Sequence, residues 1–376
     1  MVTVNELLMD EEDPLLPAEK LFSKLTLFEK ILLKVHLPYK LSTILAALFV
    51  GPLGNFLFLF AISFDFPRAL YATFISLNAG VSGLPSETSV NWYSFIGNIA
   101  WYIFLSHVAF SIRRLRLTLA KLEPKIVSLT LDEGRSLTGM FRLVFHPIPQ
   151  LAITVIFMFI YGTFVPNMIS KGELTLLSTP IFIFPSLLRS IMFGSMLWFC
   201  FASLWGLYQF GKTCPGFKSF LEDPMLGAGV LGTMSFSLSK TYFFSLSIFA
   251  VQMVLGELVG NTISLNFVIM FVLIPVGIVL FLAPLVSTHK RMIEVKKNEL
   301  KIIRRQFAYY LTPAPTLNLS DERVVTKLFL LESLEKKAGA ISTWPVESPV
   351  TEKFVAILTS VSVVILAKYI QIFLHI

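Results

Sequence analysis

Six ionisable residues stand in or beside strongly apolar stretches of this 376-residue chain: Asp65, Arg68, Arg189, Glu257, Lys368 and His375. A charged group in hydrocarbon is costly unless it is paired or hydrated, so each needs a physical reason to be there. Counting along the apolar runs places all six toward the outer ends of their segments, at similar depth. Two kinds of chemistry suit such a set. One is a wet, outward-facing cavity for an ion or small polar solute, with Arg189–Glu257, Lys368–Asp65 or Lys368–Glu257 pairs in its wall. The other is structural, with salt bridges inside a bundle and long side chains reaching for headgroups. Asn55, Asn98 and Gln252 lie deeper and suit hydrogen bonds between helices.

Three of the five histidines, His107, His146 and His289, fall near the opposite ends of apolar runs. A shared depth suits a metal site or an acyl-transfer base. No pair has the i, i+4 or HxxH spacing of a ligand set, and no carboxylate adjoins any of them. No metal, cofactor or catalytic residue is therefore assigned. Gly227-Ala-Gly-Val-Leu-Gly232 matches G-x-G-x-x-G, but Asp223-Pro224 before it reads as a turn rather than the strand a dinucleotide site needs. A flexible entry into the next helix is the better account. Cys200 and Cys214 supply neither a disulfide framework nor a ligand pattern.

The elements that must position these residues follow from composition. Hydrophobic residues make up 55% of the chain and charged ones only 15%, against about 25% charged in soluble domains. Uninterrupted apolar runs predict seven transmembrane helices at 41–64, 92–112, 149–168, 187–209, 238–259, 265–286 and 354–376. The expected fold is an all-α integral membrane protein.

Lysine and arginine set its orientation. Five precede the first span, seven lie between the second and third, two follow the fourth and twelve lie between the sixth and seventh. Only Arg68 and Lys171 fall in loops on the other side. This predicts a cytoplasmic N-terminus and an outer C-terminus. The net charge of +7 is accounted for by these loops, so nucleic acid is not an expected partner.

Four regions follow: an acidic start and amphipathic helix at 1–40, six spans over 41–286, a basic cytoplasmic hairpin at 287–353 and a seventh span at 354–376. The amphipathic helix is expected over 17–38, with Leu21, Leu25, Phe28, Ile31, Leu32 and Val35 on one side. Lys20, Lys24, Lys30 and Lys34 would then face anionic headgroups, unless the helix packs on the protein's own loops. Glu11-Glu12-Asp13-Pro14-Leu15-Leu16 reads as a disordered acidic start with the form of a dileucine sorting signal.

In the hairpin, a helix continuing the sixth span meets a break at Pro313 and Pro315. A second helix capped by Ser320 follows, with Val324, Leu328, Leu331 and Leu334 on one face. These apolar faces could cover each other, pack on the 113–148 loop or join a homo-oligomer. Two outer segments, Phe66–Val90 and Thr175–Ser186, are expected to form re-entrant or interfacial caps rather than spans.

Three functions are compatible with this layout. The first is a channel or transporter using the outer charged cavity. The second is a seven-span sensor or receptor signalling through its cytoplasmic hairpin. The third is a lipid-modifying enzyme built on the three histidines. The layout resembles that of insect olfactory and gustatory receptor channels, in which a cytoplasmic helical region joins subunits. Tyr369-Ile-Gln-Ile-Phe373 faintly echoes the gustatory pattern, and the likeness is one of layout without a shared residue motif. A membrane location is expected, either plasma membrane or endomembrane.

Overall fold

In a computed structural model the chain is described over residues 21–75, 92–130, 135–162, 178–213, 216–257, 265–311 and 322–346, with scattered positions between 352 and 363. The described residues form helices and no strand. They are α1 (Leu27–Leu33), α2 (Tyr39–Val50), α3 (Pro52–Ser63), α4 (Phe66–Ile75), α5 (Trp92–Val127), α6 (Arg135–Phe141), α7 (Pro147–Gly162), α8 (Ser178–Thr213), α9 (Gly229–Glu257), α10 (Leu265–Leu311) and α11 (Glu322–Gly339). Short 3-10 turns lie at Leu21–Ser23 and Arg142–Phe145.

Four stretches are long and apolar enough to cross a bilayer: Phe95–Val127, Leu137–Phe159, Ser178–Thr213 and Leu273–Leu311. The bent pair α2–α3, turning by 41°, makes a fifth if counted as one span. The fifth expected span lies in α9, whose described part carries Lys240 and many serines, and it is not among these. The seventh, at 354–376, falls largely outside the described residues, as does the acidic start.

α8 is the axis of the bundle and packs against α2, α3, α5, α6, α7, α9 and α10. Small residues let its neighbours come close, the usual basis of helix association in lipid. A Cβ on Gly194 would stand 2.7 Å from the Thr154 hydroxyl on α7. One on Gly211 would collide with Ser287 and Thr288 of α10. Large buried side chains, among them Phe141, Phe199 and Leu207, fill the space between these contacts.

α8 also corrects an expectation. The stretch expected as a separate cap, Thr175 to Ser186, is from Ser178 onward the first two and a half turns of α8, with Pro185 inside the helix. The proline removes one backbone donor but is buried where α3 crosses, against Gly54. Membrane helices tolerate proline where neighbouring protein covers the break. The other proposed cap begins as α4, and its remainder from 76 to 90 lies outside the described residues.

The N-terminal segment departs further from its expected form. The described part is not one amphipathic helix from Pro17 but a 3-10 turn followed by the two turns of α1. Both are enclosed by α5 and α8. Phe22, Leu27 and Phe28 are fully buried, and so is Lys30, which the periodicity places at the headgroups.

The last two long helices pair side by side. α10 runs unbroken for 47 residues through Pro275 and Pro284, then α11 returns along it. Met292 and Ile303 of α10 pack with Leu331 and Ala338 of α11, and Leu226 and Ala228 from the turn before α9 complete this core. Arg304 Nε donates to Glu335 Oε1 across the hairpin at 2.8 Å. Gly227 in that turn has φ +80, a conformation that favours glycine, and Asp223 accepts from the Met225 and Gly227 amides. The G-x-G-x-x-G stretch is thus a capped turn leading into α9.

Candidate functional site

α2 and α3 are twelve residues each, so their break at Gly51-Pro52 falls at the midpoint of the bent pair. A helix end leaves its last carbonyls without intrahelical donors, and in hydrocarbon these must be met by other groups. Arg189 of α8 meets one of them. Its Nη2 donates to the Val50 carbonyl at 2.6 Å, and its guanidinium carbon lies 5.8 Å from the centre of the Trp101 ring on α5. A cation at a helix C-terminus is also favoured by the aligned peptide dipoles.

Other polar groups gather around the break. Asn55 of α3 donates to the Tyr102 hydroxyl at 3.3 Å, and that hydroxyl donates to the Thr73 carbonyl of α4 at 2.7 Å. Gly51 has no side chain where the Tyr102 ring approaches; a Cβ there would sit 3.2 Å from it. Asn98, one helical turn from Trp101 and Tyr102 on α5, is buried. Four segments, α2–α3, α4, α5 and α8, therefore converge on a half-buried arginine, an amide and a phenol. Such a set can strip and replace part of the hydration shell of a small polar solute.

Of the six ionisable residues, the side chains of Arg189 and Asp65 are described, and they stand apart. α8 begins at Ser178, so Arg189 lies eleven residues, about 16 Å, along the helix rather than at its end. Asp65 is exposed in the turn between α3 and α4, where its carbonyl caps Ala69. The length of α3, about 18 Å, separates it from the break. Arg68 is on α4 and Glu257 ends α9, but their side chains lie outside the described residues. Lys368 and His375 are outside them altogether.

The histidines are held separately. His107 of α5 is bonded to Ser111 and packs edge-on against Phe244 of α9, with centroids 4.7 Å apart. His146 precedes α7, and its Nδ1 is buried without a hydrogen-bond partner among the described residues. His289 of α10 stacks on Trp344 at 4.1 Å and bonds to the Thr343 carbonyl. Among the described residues no three histidine, cysteine or carboxylate side chains stand close enough to hold a metal.

A second polar cluster was not anticipated. Arg116 of α5 and Glu29 of α1 are both fully buried, with Nη2 to Oε1 at 2.9 Å and Nε 3.0 Å from both carboxylate oxygens. Arg116 Nη1 also donates to the Phe22 and Ser23 carbonyls at 2.9 and 3.3 Å. The first turn of α1 is fully satisfied. Leu27 N–H goes to Gln150 of α7, Phe28 N–H to Ser195 of α8 and Glu29 N–H to Thr26. Glu123 receives the Leu21 and Phe22 amides. The one local signal was Thr26-Leu-Phe-Glu29, a capping box.

No known protein family, characterised protein or solved structure matches this chain.

Proposed function

We propose that the protein is a channel or transporter for an ion or small polar solute, acting at the cluster around the broken first span. The observation that carries this reading is the Arg189 guanidinium on the Val50 carbonyl, at the midpoint of an interrupted helix. Interrupted spans with exposed helix ends and polar side chains at mid-depth are the usual construction of solute sites in membrane transport proteins. The proposal includes seven spans, a cytoplasmic N-terminus and an outer C-terminus, supported by the basic residues that crowd the loops of one side. It places the solute site deeper than the outer ends of the spans.

The test is flux in proteoliposomes holding the purified full chain, using potassium, sodium, chloride and small uncharged polar solutes. Flux of at least one above the leak of empty vesicles is expected, with loss in Arg189→Gln. Absence of flux for every solute would overturn the proposal.

The second reading is a sensor whose membrane-embedded polar cluster acts on the cytoplasmic hairpin, supported by α10 running without interruption from the bundle into the hairpin core. Phe329, Leu330 and Tyr309 are exposed on the hairpin, and a homo-oligomer through this region belongs to that reading. A strictly monomeric protein in mild detergent would count against it.

A further inference from the structure

A cavity of about 370 Å³ opens on the side of the bundle between α7, α8, α9 and α10, away from the Arg189 cluster. Its wall includes Ile153, Leu197, Trp198, Leu204, Tyr242 and Val276. Pockets of this size hold small organic groups, and here the wall states what kind. Its larger polar groups are already used within the protein. The Trp198 indole N–H donates to the Leu143 carbonyl at 2.8 Å, and the Tyr242 hydroxyl to the Leu273 carbonyl at 2.7 Å. Ser239 and Cys200 in the wall are buried among apolar neighbours. Nothing in the cavity calls for a polar occupant, and water has little to bond there.

The mouth of the cavity continues the surface that meets lipid. Leu197, Phe201 and Val276 at its edge are each about 40% exposed, as lipid-facing side chains are. Beyond the Leu204 end of the cavity α8 carries interfacial chemistry: Trp205, then Tyr208, with exposed Lys212 over the Tyr208 ring. We propose that this cavity holds one acyl chain of a membrane phospholipid, its anionic phosphate lying toward Lys212 and the aromatic end of α8. The inference is independent of the transport reading, since the two sites are different and either can fail alone.

The full chain is reconstituted in vesicles containing a trace of phosphatidylcholine with a diazirine midway along one acyl chain. After illumination, adducts are mapped by mass spectrometry. Adducts should concentrate on 197–204 and 238–242, above the yield at Phe184 and Phe159, which are exposed but outside the cavity. Val276→Trp fills the mouth from an exposed position and should lower cavity adducts at least about fivefold while leaving the Phe184 yield unchanged. The unchanged control yield also reports that the variant is folded. Leu204→Trp fills the cavity from the opposite wall and should act the same way. Cavity adducts no more frequent than at Phe184, or unaffected by both variants, would overturn the proposal. Labelling by a free diazirine fatty acid but not by the phospholipid would also overturn it, by moving the occupant from bilayer to solution.

Discussion

The two polar clusters of this protein solve the same physical problem in opposite ways. At Glu29 and Arg116 both charges are fully enclosed, and the carboxylate and guanidinium are bonded to each other, to the Thr26 cap and to the Phe22 carbonyl. At Arg189 the guanidinium is only half buried and bonds a carbonyl at a helix end, beside an asparagine and a tyrosine on other helices. The first arrangement has no room for a visitor and little freedom to change. The second is less enclosed and sits where a helix is already interrupted. The enclosed pair holds the N-terminal segment, and the open cluster is the one proposed to handle solute.

The comparison is broken most severely at the enclosed pair. Arg116→Ala leaves Glu29 as a lone buried charge and should cost about 3–5 kcal/mol, read as a large drop in thermal stability of the detergent-solubilised protein. Replacing both residues together with Glu29→Leu and Arg116→Met should cost less than Arg116→Ala alone, because no unpaired charge remains. If the double variant proves worse than the single, the cluster contributes more than charge neutralisation.

At the open cluster the expected effect is smaller for stability and visible in activity. Arg189→Lys keeps the charge but loses the planar fork, and should reduce solute flux about tenfold while melting close to the parent protein. Equal losses of stability and flux would make Arg189 a fastener like Arg116. Gly227→Ala forces a side chain onto a positive φ and toward Leu129, and should cost about 1–2 kcal/mol in denaturation without altering flux. The smallest effect is expected at the exposed Arg304–Glu335 pair, where Glu335→Gln should change stability by less than about 1 kcal/mol.

Much of the architecture was legible because lipid imposes length and apolarity on a spanning helix. The runs at 41–64, 92–112 and 187–209 lie within described helices that pass that criterion, alone or as the bent pair. The hairpin was legible from the period of Met292, Ile303 and Leu331. What escaped depends on tertiary contacts that leave little local trace. Pro180 and Pro185 look like a broken loop until Gly54 is seen opposite Pro185. Lys30 looks like a headgroup ligand until α1 is seen enclosed by the bundle. Arg116 was counted among loop cations, although its partner lies 87 residues earlier. Arg189 was singled out from sequence, but the carbonyl it holds belongs to a break that periodicity alone does not show.

α10 has a mechanical consequence. Its 47 residues extend for about 70 Å, more than twice the thickness of a bilayer's hydrocarbon core. From Pro284 to Leu311 the arm measures about 40 Å, and proline is where a helix bends most readily. A tilt of about 5° at Pro284 would swing Leu311 through about 3.5 Å, more than the length of a hydrogen bond. A rearrangement too small to notice among the spans would thus become a step at the far tip of the hairpin, where Tyr309 and Leu311 face outward.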